Sequence, residues 1–101
     1  MATLGGHSAA KDANDNIKQI TLSLQKAAED HLGASFPKFE ALSYTEQVVA
    51  GMVYHVAVDA GDQIVHVRCY QPLPHTGLST KLEACKISEA GAELQIMQKE
   101  L

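Results

Sequence analysis

Apolar positions along this 101-residue chain change their period, and the changes divide it into elements. From Ala13 to Leu32 the spacing is helical: Ile17, Ile20, Leu24, Ala27, Ala28 and Leu32 fall on one face, while Lys18, Gln25, Lys26, Glu29 and Asp30 fall elsewhere. Asp12 or Asn14 can cap the start, Asp15 suits the positive end of the helix dipole, and Gly33 is a stop signal. The pattern predicts one long helix with a single apolar stripe, which needs a sheet to cover it.

Further on the period becomes two. Tyr54, Val56 and Val58 alternate with His55, Ala57 and Asp59; Val65, Val67 and Cys69 alternate with His66, Arg68 and Tyr70. Asp59-Ala60-Gly61-Asp62 reads as the turn between these strands. A two-residue reversal centred on Ala60-Gly61 pairs Val56 with Val65 and Tyr54 with Val67, which puts both apolar sets on one face. A slip of one residue would throw the second strand's valines outward. Phe39 to Ala50 is long for one strand and breaks strict alternation, so a bulge or bend is expected in it. Glu83 to Ser88 is a weaker last strand. The first dozen residues are small, polar and Gly-containing, and a flexible trunk over 1–11 is expected. A helix followed by strands joined mostly by hairpins implies an α+β fold, one antiparallel sheet wrapped across one helix, with 1–101 as a single domain.

One stretch contradicts the usual composition of a turn. Gln47-Val48-Val49-Ala50-Gly51 places small and β-branched apolar residues at the reversal between the run ending at Ala50 and the run starting at Met52. Gly51 supplies the backbone freedom, but nothing in a solitary hairpin needs an apolar tip. Such a tip makes sense if it is inserted into something.

The string resembles the Q-x-V-x-G motif of the cystatins, inhibitors of papain-like cysteine proteases. A chance match to one given pentapeptide in a chain this long is about one in tens of thousands, so the motif is specific. Leu4-Gly5-Gly6 resembles the N-terminal trunk of that family, and Leu73-Pro74-His75 resembles the second hairpin loop of its intracellular subgroup, the stefins. Phe36-Pro37 and Val65-His66-Val67-Arg68 also look like stefin sequence, and the secreted members' Pro-Trp is absent, as this chain has no Trp. The likeness spans nearly the whole chain. Departures are Met52-Val53, where stefins usually have Thr-Asn, a Cys at 85 near where they carry Tyr, and a tail from Gln95 to Leu101 that is more helical in character.

The resemblance implies a cystatin-like fold with four to five strands, a short one preceding the helix. It also implies a function: trunk, first loop and second loop form a wedge that enters the protease cleft. Protease contact would then fall to Leu4, Gly5, Gly6, Gln47, Val48, Val49, Ala50, Gly51, Leu73, Pro74 and His75. Leu4 would fill a hydrophobic subsite, and Gly5 would turn the chain away before a peptide bond reaches the catalytic thiolate. Inhibition would be reversible and competitive, with cathepsin-type proteases as partners. A monomer is expected, with a domain-swapped dimer accessible if the first hairpin opens and its two strands run on as one.

Composition narrows the classes. Net charge is −4 and the eight Lys and Arg form no cluster, which argues against nucleic acid and against an anionic membrane. Met1 to Asn16 lacks the apolar core of a secretory signal, and no apolar run reaches a transmembrane length, so a cytoplasmic protein is expected. Cys69 and Cys85 are too few for a disulfide framework and lie in no ligand pattern; they read as reduced thiols, with Cys69 a buried hydrophobe. No cofactor or metal is called for. No nucleophile, base and orienting group come together as an enzyme would need. The rival reading is a cystatin-fold interaction module that does not inhibit. Finally, the strand register above sets His55 and His66 directly opposite on the outer face of their hairpin. Two ligands without a third make a weak metal site, so solvated surface is the expectation.

Overall fold

A computed structural model of the chain describes residues 9–101. The helix begins where expected, with Asn14 as its cap: the side-chain oxygen accepts from the Ile17 amide at 2.9 Å. It runs as two segments, α1 (Asp15–Ser23) and α2 (Gln25–Leu32), not as one. The break at Leu24 has a local cause. The Ser23 hydroxyl donates to the Ile20 carbonyl at 2.6 Å, and the Leu24 amide reaches back only three residues, to Thr21 O at 3.1 Å. Such back-bonding tightens and bends a helix. Gly33 ends α2 in the left-handed conformation at φ 63°. Ile17, Ile20, Leu24 and Ala28 are buried as the pattern predicts; Ala27 is exposed, and Thr21 takes a buried place instead. The stripe is narrower than the sequence suggested.

Five antiparallel strands lie in chain order: β1 (Lys11–Asp12), β2 (Glu40–Val49), β3 (Gly51–Asp59), β4 (Gln63–Gln71) and β5 (Lys81–Glu89). The short strand before the helix is β1, so Lys11, placed at the end of a flexible trunk by the sequence, is already paired with Tyr44. The expected bulge falls between Ala41 and Ser43. It keeps both Ala41 and Tyr44 in the core and turns Leu42 out. The helix packs across the face carrying Tyr44, Tyr54, Val56, Val58, Val65 and Val67. Tyr44 and Tyr54 meet edge to face at 6.1 Å. No helix among the described residues is long and apolar enough to cross a membrane.

Two expectations about the β3–β4 hairpin need correction. Val56 pairs with Val67 and Tyr54 with Cys69, a register two residues away from the predicted one. The loop is the two residues Gly61-Asp62, closed by the Ala60 amide donating to Gln63 O at 3.0 Å, with Gly61 at φ 109°. Glycine belongs at the first central position of this hairpin turn, and Ala60 is fully buried rather than in the turn. A shift of two preserves the faces, which is why the apolar pattern could not detect it.

The second correction follows from the first. His55 lies opposite Arg68 and His66 opposite Ala57, so the imidazoles are not a facing pair. Nor are they solvated: both are fully buried. The segment after β5, expected to be helical in character, has no regular secondary structure and runs over this outer face. Met97 O lies 2.9 Å from His55 Nε2 and accepts from Arg68 Nη1 at 2.8 Å; Glu83 O accepts from the amides of Glu100 and Leu101 at 2.8 and 2.9 Å. A carbonyl only accepts, so His55 carries a proton on Nε2. Beneath this strap Arg68 Nε pairs with Glu83 Oε1 at 2.9 Å, and His66 Nε2 meets Ser88 Oγ at 3.0 Å.

Candidate functional site

The reversal between β2 and β3 is as short as a hairpin can be. Val49 and Gly51 are paired, leaving Ala50 as the tip. Among the described residues only glycines have positive φ, so Val48 and Val49 hold ordinary extended backbone and the unusual angle falls on Gly51, at 123°. Space demands glycine there as well. A Cβ on Gly51 would stand 2.5 Å from Gln71 O and 2.9 Å from Tyr70 Cε1. The Tyr70 hydroxyl donates to Ala50 O, so β4 grips the tip of the first loop directly.

Val48 is 77% exposed and Val49 42%. Large aliphatic side chains at that exposure, on a backbone held this firmly, form an apolar surface that stays in place without a partner. The second loop is built the same way. Pro72 is buried, Leu73 stands 39% exposed, and Pro74–Thr76 forms a 3₁₀ turn. Leu73 O accepts from both the amide and the hydroxyl of Thr76, at 3.0 and 2.7 Å, and Gly77 closes the turn in the left-handed region.

The two loops meet. A shallow recess of about 300 Å³ is lined by Val48, Val49, Gly51 and Met52 from one side and by Gln71, Pro72, Leu73 and Pro74 from the other. No charged side chain lines it. Of the residues singled out by sequence, Val48, Val49, Gly51, Leu73 and Pro74 therefore come together. Ala50 is the exposed tip beside them, Gln47 is half-buried within β2 opposite Val53, and His75 lies exposed in the 3₁₀ turn outside the recess. Leu4, Gly5 and Gly6 lie outside the described residues. Sequence reasoning missed Met52, Gln71 and Pro72. Met52 faces Gln71 in the true register, so the misplaced pairing hid this junction.

Cys69 and Cys85 are free and buried; burial pushes the Cys69 thiol up to about 12 and raises that of Cys85, so neither is a ready thiolate. Among the described residues no group of three or more His, Cys, Asp or Glu could hold a metal ion.

Comparison with known proteins agrees with the geometry. The profile of the cystatin domain matches residues 5–91. Stefin-C of Bos taurus is 38% identical over 73 residues, 71% of this chain and 72% of its own. Cystatin-B of Paralichthys olivaceus is 39% identical over 79 residues, covering 77% of this chain and 81% of its own. Leukocyte cysteine proteinase inhibitor 1 of Sus scrofa is 36% identical over 72 residues, 70% of each chain.

Proposed function

The chain belongs to the cystatin family, and on that premise we propose that it is a reversible, competitive inhibitor of papain-like cysteine proteases, cathepsins included, and not an enzyme. The observation that carries the reading is the apolar edge: Val48, Val49 and Leu73 exposed on two rigid loops that share one recess. Rigid loops lose little entropy on binding, so displacing water from an apolar cleft is not offset by the cost of ordering them. Gln47, Ala50, Pro74 and His75 complete the contact surface in this proposal, and Leu4-Gly5-Gly6 adds a trunk. In support, β1 read backwards from Asp12 to Lys11 advances along β2 in the direction of Val48. The inhibitor works in the cytoplasm as a monomer, since opening the first hairpin into a swapped dimer would destroy the wedge.

Titration of papain and a cathepsin panel tests this. Stoichiometric, reversible inhibition is expected, with none of serine or aspartic proteases. Papain blocked at its thiol by a small group should still bind, more weakly. A folded protein that inhibits none of the panel would leave only a non-inhibitory interaction module.

A further inference from the structure

Tyr70 lies on the strand that feeds the second loop and touches the tip of the first. It pairs with Val53 in the ladder, and its ring reaches the tip: Cε1 and the hydroxyl oxygen stand 2.9 and 3.0 Å from where a Gly51 Cβ would be. Its hydroxyl donates to Ala50 O, the carbonyl of the one residue at the reversal. The next residue, Gln71, places its backbone carbonyl against the same Gly51 and accepts from the Tyr54 hydroxyl through its side chain at 3.3 Å. Pro72 and Leu73 follow at once. Tyr70 thus ties the tip of the first loop to the strand that leads into the second.

We propose that Tyr70 is a positioning residue of the inhibitory edge: through Ala50 it holds the first loop in the conformation that binds protease, at a fixed offset from the second. The proposal rests on the inhibitor reading. It has a kinetic signature of its own. The Tyr70–Ala50 bond is internal to the inhibitor, so it survives in the complex, where the protease also holds the loop. Losing the hydroxyl therefore lowers mainly the fraction of free inhibitor that is ready to bind, and apparent affinity falls by that fraction. The change appears in association. A contact made with the protease itself would appear in dissociation.

The test compares Tyr70→Phe with the parent, measuring papain association and dissociation rates, amide hydrogen exchange over Val48–Met52 in the free protein, and the melting temperature. Phenylalanine keeps the ring against Gly51 and removes only the hydroxyl. Expected are faster exchange at the tip, association slower by about two- to tenfold, little change in dissociation, and a melting temperature lower by no more than about a few degrees. Tyr70→Leu, which also removes the ring, should show a larger effect in the same direction. Unchanged exchange and unchanged association overturn the proposal. Faster exchange with unchanged association shows a clamp that does not position the loop, and overturns it too. An effect confined to dissociation makes Tyr70 a direct protease contact and refutes positioning. If the parent does not inhibit papain, the inhibitor reading fails, and the exchange data alone report whether the clamp exists.

Discussion

At the loop edge aliphatic side chains face water: Val48 is 77% exposed, and Val49 and Leu73 stand out beside it. Across the outer face of the same sheet the arrangement is inverted. His55 and His66 are enclosed there, with Arg68 and Glu83 paired beneath an irregular strap that ends on Glu83 O. Each region breaks the ordinary partition of apolar inside and polar outside. They break it for different reasons. Arg68, Glu83 and the Nε2 atom of each histidine are compensated within the molecule, by Met97 O, Ser88 Oγ and each other. The exposed apolar groups find no such compensation among the described residues, and the rigidity of their loops prevents them from folding away. A violation that the molecule resolves internally marks architecture; one it leaves open marks a surface meant for another molecule.

Substitutions can break this contrast on either side. The largest effect is expected from Val48→Asp. The side chain is too exposed to disturb the core, yet a carboxylate there would have to enter an apolar cleft unpaired. Inhibition of papain should weaken by a hundredfold or more while circular dichroism stays unchanged; full inhibition by the folded variant would contradict the edge assignment. This is a sharper test than a bulky residue at Gly51, which is buried against Tyr70 and Gln71 and would distort the hairpin itself.

Removing residues 94–101 attacks the opposite region. Met97 O and the amides on Glu83 O are lost, which takes one acceptor from His55 Nε2 and one from Arg68 Nη1. Stability should fall by about 2–4 kcal/mol in denaturant titration. Protease inhibition by the folded remainder should hold, because the strap and the edge are separate in function. A smaller effect is expected from Leu73→Ala. Its side chain is already part-shielded, and trimming it should weaken inhibition by about tenfold with no shift in melting temperature.

Much of this was legible in the chain, and what was not has a common cause. The helix, its cap at one of two candidates (Asp12 or Asn14, of which the fold uses Asn14), the Gly33 stop, the bulge in β2 and the burial of Cys69 all follow from local spacing. So does the tip at Val48-Val49-Ala50-Gly51, because its composition is wrong for a free turn. The β3–β4 register was missed because a two-residue shift leaves every face unchanged, and with it went the Met52–Gln71 junction. The burial of His55 was invisible because its partner, Met97, is 42 residues away and belongs to a segment with no strand periodicity. Local pattern reports what neighbours do. It cannot report what a distant segment will cover.

The smallest effect concerns pH. Burial first, and then the Lys86 charge, hold His66 below its ordinary value of 6.5, so the fold prefers the neutral ring. The unfolded chain binds a proton near that ordinary value while the folded one does not. The contribution is therefore fully present above about pH 6.5 and is lost as pH falls below it, until the folded ring also titrates. The melting temperature should decline by a few degrees between neutral and mildly acidic buffer, and His66→Gln should flatten that decline. An identical slope in the variant would show that His66 does not set it.

The order of the strands has a consequence for how the molecule comes into being. Each of β3, β4 and β5 lies beside the strand made just before it. During synthesis every hairpin can zip as soon as its second arm emerges, with no wait for distant chain. The first loop is complete once Tyr70 has appeared, and the second once β5 has closed. Residues 97–101 come only after that, so His55 lacks its Met97 acceptor through the whole assembly of the sheet. The loop edge is in place before the outer face of the sheet is sealed.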